Sequence, residues 1–467
     1  MFASTTYVAR RAELARRIGS GLILIPGNME ASYNYPNNTY HFRQDGTFLY
    51  YFGLNLPQFF GVIDAATGEA TIFGDDVTVD DIIWMGPQPT VAELGAKVGV
   101  MKSLPMSALA NFISIAVASG QQIHYLPPYR GKSTIQLCAL LGKTPEQIYK
   151  EMSVELMFAV AEMREVKSAE EIEAMERAFH IGYAMHTTAM KMCREGVVER
   201  EIAGAIEGIA LGQGAGISFT SIVSQHGETL HNHNYDGVLE NGKLLLVDAG
   251  AESVDNYCSD HTRTFPVSGK FTERQKDIYN IVLAAQQQAP ENMRTGAMYM
   301  EDVHRKALLT LAEGLKGVGL INGSAEDAVA AGAMFLFMPH GLSHGMGIDV
   351  HDCEAIGERS YDFSAIAERA AQSATCIHRS TWRLRAGTVM SNEPGIYFIP
   401  ALIDKSRSEG LYKGIVNYDK LDGYRDFGGI RIEDDVIVTD NGGVVIGGEK
   451  KIPVTVEELE AVIGVLS

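Results

Sequence analysis

Short apolar runs alternate with helix-like segments along the first third of the chain. The stretch "RAELARRIG" (11–19) has the spacing of an amphipathic helix, and "SGLILIPG" (20–27) is typical of a buried strand bounded by glycines. In "QFFGVIDAATGEATIFG" (58–74), two apolar runs are joined by "AATGEA", which predicts a hairpin. We therefore predict an α/β unit and assign it to residues 1–160.

Two helices followed by strands occur twice in residues 161–467. The first set opens with a capping box, Ser168 and Glu171, continues with a helix at 199–214, and leads to "SFTSIVSQ", "KLLLVDAG" and "CSDHTRTFPV". The second set has helices starting at Thr272 and near Met300, followed by strand-like "HGMGIDVHD", "GTVMSNEPGIYF" and "GIRIEDDVIV". This repetition predicts an α+β domain in which helices cover one face of a curved antiparallel sheet.

Composition and charge narrow the class of protein. Of the 467 residues, 46% are apolar and 21% charged, as in globular proteins, and the net charge of −19 argues against binding to nucleic acid. We find neither a signal-peptide pattern nor an apolar run long enough to span a membrane. The five cysteines form no CxxC pair, so we expect a reduced, cytoplasmic protein.

Four carboxylates interrupt otherwise apolar, strand-like sequence: Asp248, Asp260, Glu393 and Glu433. A carboxylate in such a position is costly unless it is paired, hydrogen-bonded or bound to a metal ion. Together with His344 they form an oxygen-rich set with one imidazole, which suits Mn²⁺, Fe²⁺, Co²⁺ or Zn²⁺. Four carboxylates are more than one divalent ion needs, whereas two neighbouring ions can share bridging carboxylates and support hydrolysis.

Each of these carboxylates also has a purely structural explanation. Asp260 could pair with Arg263, and Glu433 with Arg431, as charged residues do on the surface of a sheet. The other two carboxylates follow or interrupt apolar runs and could cap or end their strands. Spacing along the chain does not show whether the four side chains meet.

Several segments, in order, resemble the proline-specific pita-bread metallopeptidases, the branch that contains Xaa-Pro dipeptidase (prolidase) and Xaa-Pro aminopeptidase (aminopeptidase P). They are "TLHNHNYDG", "LLLVDAGAESVDNYCSDHTRTFPVSGKFT", "FMPHGLSHGMGIDVHD", "NEPGIYF" and "FGGIRIEDDVIVT". "YHFRQDGTFLYYFGLNLP" and "WMGPQP" resemble the accessory domain of the same branch. The resemblance implies an α+β fold with a C-terminal pita-bread (creatinase/aminopeptidase) domain, 161–467, after an N-terminal α/β accessory domain, 1–160.

The resemblance also implies a metal centre with two divalent ions. Asp260 and Glu433 would bridge the two ions, Asp248 would complete the site of one, and His344 and Glu393 that of the other. Glu393 would in addition take a proton from the attacking water. We expect Mn²⁺, with Co²⁺, Zn²⁺ and Fe²⁺ also compatible with these ligands.

Further residues match positions that contact substrate in the family. His231 and His351 match the active-site histidines, which would stabilise the tetrahedral intermediate or move protons. His340 would support the substrate pocket. Arg379 matches an arginine that binds the terminal carboxylate of a dipeptide, a role suited to a bidentate guanidinium. We expect His233 to be a loop residue without a role in the site.

One departure from the family pattern concerns the two aspartates. Asp248 and Asp260 are 260 − 248 = 12 residues apart, one more than the family spacing. We expect the turn "SVDN" (253–256) to absorb the extra residue, because a slip in register would point one aspartate away from the site. The glycines of "HGLSHGMGID" are expected at turns and close backbone approaches.

The resemblance implies hydrolysis of the peptide bond that precedes proline, in dipeptides or short peptides. We favour Xaa-Pro dipeptidase because of the long insertion between Glu393 and Glu433 and the position of Arg379. Xaa-Pro aminopeptidase is the alternative, and a pita-bread protein without peptidase activity is a remote one. The family resemblance further implies a homodimer or higher homo-oligomer.

Overall fold

A computed structural model describes residues 1–356 and 382–464. The described residues divide into two compact units: an amino-terminal unit, Met1–Arg164 with 353–356, and a carboxyl-terminal unit, Glu165–Asp352 with 382–464. Among the described helices, none is both long enough and apolar enough to cross a membrane.

The amino-terminal unit contains a five-stranded sheet in the order β4-β3-β2-β1-β5. β2 pairs with β1 and with β3 in antiparallel fashion, whereas β4 and β5 pair in parallel with β3 and β1. The strands are β1 (Leu22–Pro26), β2 (Phe60–Asp64), β3 (Ala70–Phe73), β4 (Lys102–Leu104) and β5 (Ile123–Tyr125). The mixed α/β arrangement and the hairpin predicted at 58–74 are confirmed.

Helices complete the amino-terminal unit, and their apolar faces bury the sheet. Leu109 and Ile113, one helical turn apart, are both fully buried in a cluster with Phe60, Phe73 and Tyr125 from the strands. The helices are α1 (Ser4–Ile18), α2 (Gly46–Phe52), α3 (Val79–Met85), α4 (Val91–Lys97), α5 (Leu109–Ala118), α6 (Gly131–Leu141), α7 (Pro145–Lys150) and α8 (Val154–Glu165).

The carboxyl-terminal unit opens with the long helix predicted after Ser168. The Ser168 side chain accepts the N–H of Glu171, and the Glu171 side chain accepts the N–H of Ser168, so the predicted capping box is present. A second capping box, at Thr272, starts α11 where the sequence predicts it. The helices are α9 (Ala169–Met192), α10 (Glu199–Gln213), α11 (Glu273–Asn292), α12 (Arg305–Gly317), α13 (Ala325–Ala330), α14 (Pro400–Ser408), α15 (Tyr418–Leu421) and α16 (Val456–Val462).

The strand pairs described in this unit are antiparallel. The sheets have the orders β10-β8-β7, β11-β14-β15, β12-β13 and β6-β9. A bridge between Thr262 and Glu433 connects the first set of strands to the second. The strands are β6 (Gly216–Ile217), β7 (Ile222–Ser224), β8 (Leu244–Ala249), β9 (Ala251–Glu252), β10 (His261–Pro266), β11 (Val389–Asn392), β12 (Gly395–Tyr397), β13 (Gly429–Arg431), β14 (Asp434–Thr439) and β15 (Gly442–Val445).

The hairpin that carries both aspartates keeps one register from end to end. Asp248 lies opposite Thr262, and Glu252 lies opposite Cys258, so no residue bulges between them. The turn falls within "SVDN", where Asn256 has a φ of 63°. Asparagine tolerates this left-handed conformation, which ends three-residue hairpin loops. The turn therefore absorbs the extra residue, and the register does not slip.

Two predicted strands are each divided in two at a carboxylate. β11 and β12 flank Glu393 and Pro394, and β13 and β14 flank Ile432 and Glu433. Proline has no N–H to donate, so a break in hydrogen bonding at Pro394 is expected. Both glutamates therefore sit at interruptions in the strand pairing.

The strand predicted for "HGMGIDVHD" is wrong. Residues 344–352 form a loop whose only sheet-like contact among the described residues is a bridge between Gly345 and Met390. The loop instead folds back on itself: the Asp352 N–H donates to the Gly345 carbonyl, and the Gly347 N–H to that of Asp349. The apolar alternation that suggests a strand comes from side chains that pack inward from this loop.

Gly250→Ala should destabilise the carboxyl-terminal unit. A Cβ at Gly250 would lie 1.8 Å from the Ser259 carbonyl oxygen and 2.5 Å from Ser218 Oγ, so the two strands would have to separate. We expect a loss of roughly 1–3 kcal/mol in the free energy of unfolding, measured by urea denaturation. The control is Gly204→Ala on α10, where a Cβ meets nothing within 4 Å and stability should rise by up to about 1 kcal/mol. Equal effects of the two substitutions would contradict the close approach at Gly250.

Candidate metal centre

The hairpin register brings the two aspartates to one face of the sheet. Residues opposite each other in a hairpin share a face, and so do residues two apart along a strand. Asp248 lies opposite Thr262, which is two residues after Asp260, so all three side chains point the same way. The Thr262–Glu433 bridge adds Glu433 to this face, and Thr262 Oγ1 donates to Glu433 Oε2 at 2.6 Å.

His344 approaches the same point from the loop at 344–352. Its Nε2 lies 3.5 Å from Asp260 Oδ2, 3.7 Å from Glu393 Oε1 and 4.0 Å from Glu433 Oε1. Asp260, His344 and Glu433 each offer a ligand atom within 4.8 Å of the others, and all three residues are buried. Among the described residues this is the group found suitable for holding a metal ion.

Asp248 completes the acidic cluster and is paired with an arginine. Arg431 Nη2 donates to Asp248 Oδ2 at 2.6 Å, and both side chains are almost fully buried. Asp248 Oδ1 and Asp260 Oδ1 are buried and have no hydrogen-bond partner among the described residues. Buried carboxylate oxygens without a partner are costly, and a divalent cation would satisfy both.

The electrostatics of the cluster also favour a cation. Burial raises the pKa of Asp260 well above its ordinary value, and the carboxylates of Glu433 and Asp248 raise it further. Burial likewise raises the pKa of Glu433, to which Glu393 and Asp248 add. Like charges crowded in a buried site resist ionisation unless a positive charge joins them.

His344 is oriented as a ligand by its backbone surroundings. Its Nδ1 lies 3.1 Å from the Gly345 carbonyl oxygen, which can only accept, so Nδ1 carries the proton and Nε2 presents its lone pair to the carboxylates. The His344 N–H donates to Ser391 Oγ at 2.9 Å, and the Ser391 N–H donates to the His344 carbonyl at 3.0 Å. These bonds fix His344 to β11, one residue away from the break that exposes Glu393.

The other predicted histidines surround the cluster. The His351 ring stacks on His344, with centroids 3.7 Å apart and planes 10° apart. His340 Nδ1 lies 3.7 Å from Glu393 Oε2. His231 lies in an exposed loop. Partial burial of the ring lowers its pKa, and the charge of Arg431 lowers it further.

His340 is held as a neutral ring. Nδ1 lies 2.7 Å from the Gly341 carbonyl oxygen, and Nε2 lies 2.8 Å from the Tyr397 hydroxyl. Because Arg431 Nη1 donates to that hydroxyl at 2.9 Å, the hydroxyl proton is available to His340 Nε2. Burial, with Arg431 adding, lowers the pKa of His340 to about 3. This ring therefore supports the site instead of moving protons near neutral pH.

The structural explanations considered for the carboxylates are wrong for two of them. Arg263 pairs with Asp434, at 2.8 Å, and not with Asp260, while Arg431 pairs with Asp248 and not with Glu433. The alternation of side chains explains the first result, because Arg263 is three residues from Asp260 and so lies on the opposite face. Arg431 shares a face with Glu433 but donates to Asp248 across the strand pairing. His233 is an exposed loop residue, as expected, and Arg379 lies outside the described residues.

Sequence reasoning missed the polar residues that hold the cluster in place. Thr262 and Arg431 are each two residues from a carboxylate in the same strand segment, so alternation identifies them once the carboxylates are chosen. Tyr397 and Ser391 follow the same rule around Glu393, at distances of four and two residues. Side-chain alternation could have identified these four residues, but only after the polar face of each strand was known.

A model of the metallopeptidase family M24 matches residues 173–440, more than half of the chain. The chain belongs to metallopeptidase family M24. A model of the aminopeptidase P N-terminal domain matches residues 7–124. The predicted family and the predicted fold, an M24 pita-bread domain after an aminopeptidase P-type domain, are thereby confirmed.

Relatives within the M24 family carry two activities in their names. The chain is 31% identical to human Xaa-Pro dipeptidase over 457 residues, covering 95% of this chain and 89% of the relative. It is 29% identical to a probable Xaa-Pro aminopeptidase of Paracoccidioides lutzii over 463 residues, covering 97% of this chain and 95% of the relative.

Solved structures of Escherichia coli aminopeptidase P share the fold. Zinc-substituted Escherichia coli aminopeptidase P in complex with product matches with a TM-score of 0.79 and 26% identity, covering 99% of this chain and 98% of that one. The same enzyme with the inhibitor Pro-Leu gives the same TM-score and identity. Membership in M24 makes this chain a metallopeptidase and implies divalent metal ions, with Asp260, His344 and Glu433 as the candidate site.

Replacing Asp260 by asparagine should affect stability in opposite directions with and without metal, because Asp260 is a candidate metal ligand and also repels its neighbouring carboxylates. Because the pKa of Asp260 is raised in the folded state, metal-free protein holds a proton that the unfolded chain releases above about pH 4. Its stability should therefore fall as pH rises above that value. At pH 8, Asp260→Asn should melt higher than wild type without metal, and should lose the stabilisation that Mn²⁺ gives wild type, about 2.7 kcal/mol at 100 times Kd.

The control for this substitution is Asp277→Asn, which removes an exposed carboxylate from the same unit. It should leave both the metal-free Tm and its increase with Mn²⁺ as in wild type. An Asp260→Asn protein that Mn²⁺ stabilises as much as wild type would contradict the site.

Proposed function

We propose that this M24 metallopeptidase hydrolyses the peptide bond that precedes proline, using two divalent ions. The observation that supports this most is the convergence of the predicted ligands on one buried point, with three further histidines around it. The ligands are Asp248, Asp260, His344, Glu393 and Glu433. We propose Mn²⁺ as the physiological pair, with Co²⁺, Zn²⁺ and Fe²⁺ also fitting one imidazole and four carboxylates.

Glu393 is the proposed general base. When bound, the ions supply Lewis acidity for the scissile carbonyl and lower the pKa of the attacking water. Glu393 Oε1 accepts from Ser391 Oγ at 3.3 Å and lies 3.7 Å from His344 Nε2, so the carboxylate sits at the edge of the ligand cluster. Its side chain is 18% exposed, more than that of Asp260 or Glu433, which fits a group that must meet water.

The histidines have separate proposed roles. His351, stacked on His344, faces the reacting peptide and stabilises the developing charge on the carbonyl oxygen. His231 approaches from its exposed loop and contacts the substrate. Since both ring nitrogens of His340 are engaged, His340 keeps Glu393 and Tyr397 in place and borders the substrate pocket.

We propose dipeptidase specificity, with Xaa-Pro aminopeptidase as the second candidate. The two activities differ in how much peptide may follow the proline. The insertion between Glu393 and Glu433, which contains α14 and α15, and the position of Arg379 support a dipeptidase. Similarity to human Xaa-Pro dipeptidase agrees, while the Escherichia coli aminopeptidase P structures favour the second candidate.

Other parts of the proposal concern organisation and location. We propose residues 1–160 as the accessory domain, 161–467 as the catalytic domain, and a homodimer or larger homo-oligomer. We also propose a reduced, cytoplasmic protein, because the five cysteines form no CxxC pair.

Two substrates distinguish the candidate activities. With Mn²⁺ present, the protein should cleave the dipeptide Gly-Pro and cleave the tripeptide Gly-Pro-Ala far more slowly, as measured by release of free glycine. Glu393→Gln should lower kcat by roughly 10²–10⁴-fold, because the amide cannot accept the proton. Glu326→Gln on α13, an exposed glutamate, is the control and should match wild type.

Each outcome of this assay has a different meaning. Efficient cleavage of the tripeptide with none of the dipeptide would make the protein an aminopeptidase. Cleavage of neither peptide, by protein that binds Mn²⁺, would overturn the proposed specificity for proline. Undiminished activity of Glu393→Gln would remove Glu393 from the proposed role.

A further inference from the structure

The loop that carries His351 is not held by regular secondary structure. Residues 344–352 have a single bridge to β11, at Gly345, yet the His351 ring lies flat on His344 at 3.7 Å. A catalytic group that is displaced by about 1 Å can lose about 100-fold in rate. Contacts outside the sheet must therefore fix the end of this loop.

The residue after His351 makes those contacts. Asp352 Oδ2 lies 3.2 Å from Lys167 Nζ, and Asp352 Oδ1 accepts the Asp349 N–H at 3.4 Å. The Asp352 N–H donates to the Gly345 carbonyl at 2.8 Å. The Asp352 carboxylate thus joins the loop to itself on one oxygen and to Lys167 on the other.

Lys167 is itself fixed to the strand that receives the other end of the loop. Its N–H donates to the Gly387 carbonyl at 2.9 Å, just before β11 begins. β11 in turn holds the loop through the bridge from Met390 to Gly345. Both ends of the loop are therefore held at β11. Gly345 is bridged to the strand directly, and Asp352 is connected to it through Lys167.

The ion pair is buried and tightly enclosed. The side chains of Lys167 and Asp352 are 2% and 4% exposed. A Cβ at Gly347 would lie 2.7 Å from Asp352 Oδ2 and 3.0 Å from Lys167 Cε, so glycine is required for the pair to sit there, as the sequence predicts for this close approach. Lys167 Nζ also lies 3.4 Å from the Glu165 carbonyl oxygen, a second acceptor for the ammonium.

We propose that Lys167 is a positioning residue, which holds Asp352 and through it keeps His351 stacked on His344. A buried ion pair adds little stability relative to apolar residues of similar size, but it allows only one arrangement of its partners. Such a constraint suits a loop that must present a histidine without a strand or helix behind it. This inference rests on the role proposed above for His351 in hydrolysis.

The test is a double-mutant cycle between Lys167→Met and His351→Ala. In the wild-type background, Lys167→Met should lower kcat on Gly-Pro about 100-fold with little change in KM, because the substrate still binds but the histidine is displaced. In the His351→Ala background it should have almost no further effect. An equal decrease in both backgrounds, or no decrease in a folded protein, would overturn the proposal.

A structural measurement accompanies the kinetics and does not depend on activity. A crystal structure of Lys167→Met should show the His351 ring moved from its 3.7 Å stacking position on His344, and an unmoved ring would overturn the proposal. If Lys167→Met does not fold, Lys167→Met/Asp352→Asn removes both charges, and the same cycle and structure are measured on it. Failure of wild type to cleave both Gly-Pro and Gly-Pro-Ala would remove the proposed function, while the ring position would still test the contact.

The matched control is Lys270→Met. Lys270 pairs with Glu460 at 2.9 Å in the same unit, but its side chain is 73% exposed. Because exposed pairs contribute little, this substitution should leave kcat, KM and the His351 ring unchanged. A decrease in kcat equal to that of Lys167→Met would show that the effect is not specific to the buried pair.

Discussion

Repulsion among buried carboxylates is the constraint on which this structure depends. Burial and the nearby carboxylates raise the pKa values of both Asp260 and Glu433. Arg431 offsets part of the negative charge by pairing with Asp248. A fold driven by apolar burial alone would not place four acids together. Two antiparallel hairpin systems and one loop converge here, and each is shaped to bring a carboxylate or an imidazole to the point where a cation would offset the cost.

The sequence marked each carboxylate as unusual, and the resemblance to the metallopeptidases selected the set that was expected to meet. An acid inside an apolar strand is rare enough to be informative, and side-chain alternation then fixes its face. Asp248 and Asp260 show the limit of this signal: their spacing alone did not show that they meet, and the pairing of Asp248 with Thr262 across the hairpin is what places both on one face. The helix starts at Ser168 and Thr272 were similarly predictable, because capping is decided by residues close together in the chain.

Features that depend on contacts distant in sequence could not be predicted in the same way. The loop at 344–352 looks like a strand because its apolar residues alternate, but its hydrogen bonds go to itself, to β11 and to Cys258 of the aspartate hairpin. The arginine pairings could not be predicted for the same reason. Arg263 and Arg431 have an acid three and two residues away in sequence, but strand pairing brings Asp434 and Asp248 to them instead. Arg379 belongs to a part of the chain outside the described residues.

In the hairpin between the two aspartates, the paired strands position the acids, and the length of the turn does not affect that position. Its strands set the register, and the turn sits at the far end, where Val254 is 68% exposed. Residues can therefore be added to the turn while the paired strands keep both acids in place. The tip is therefore a place where a reporter sequence could be inserted without displacing the two acids.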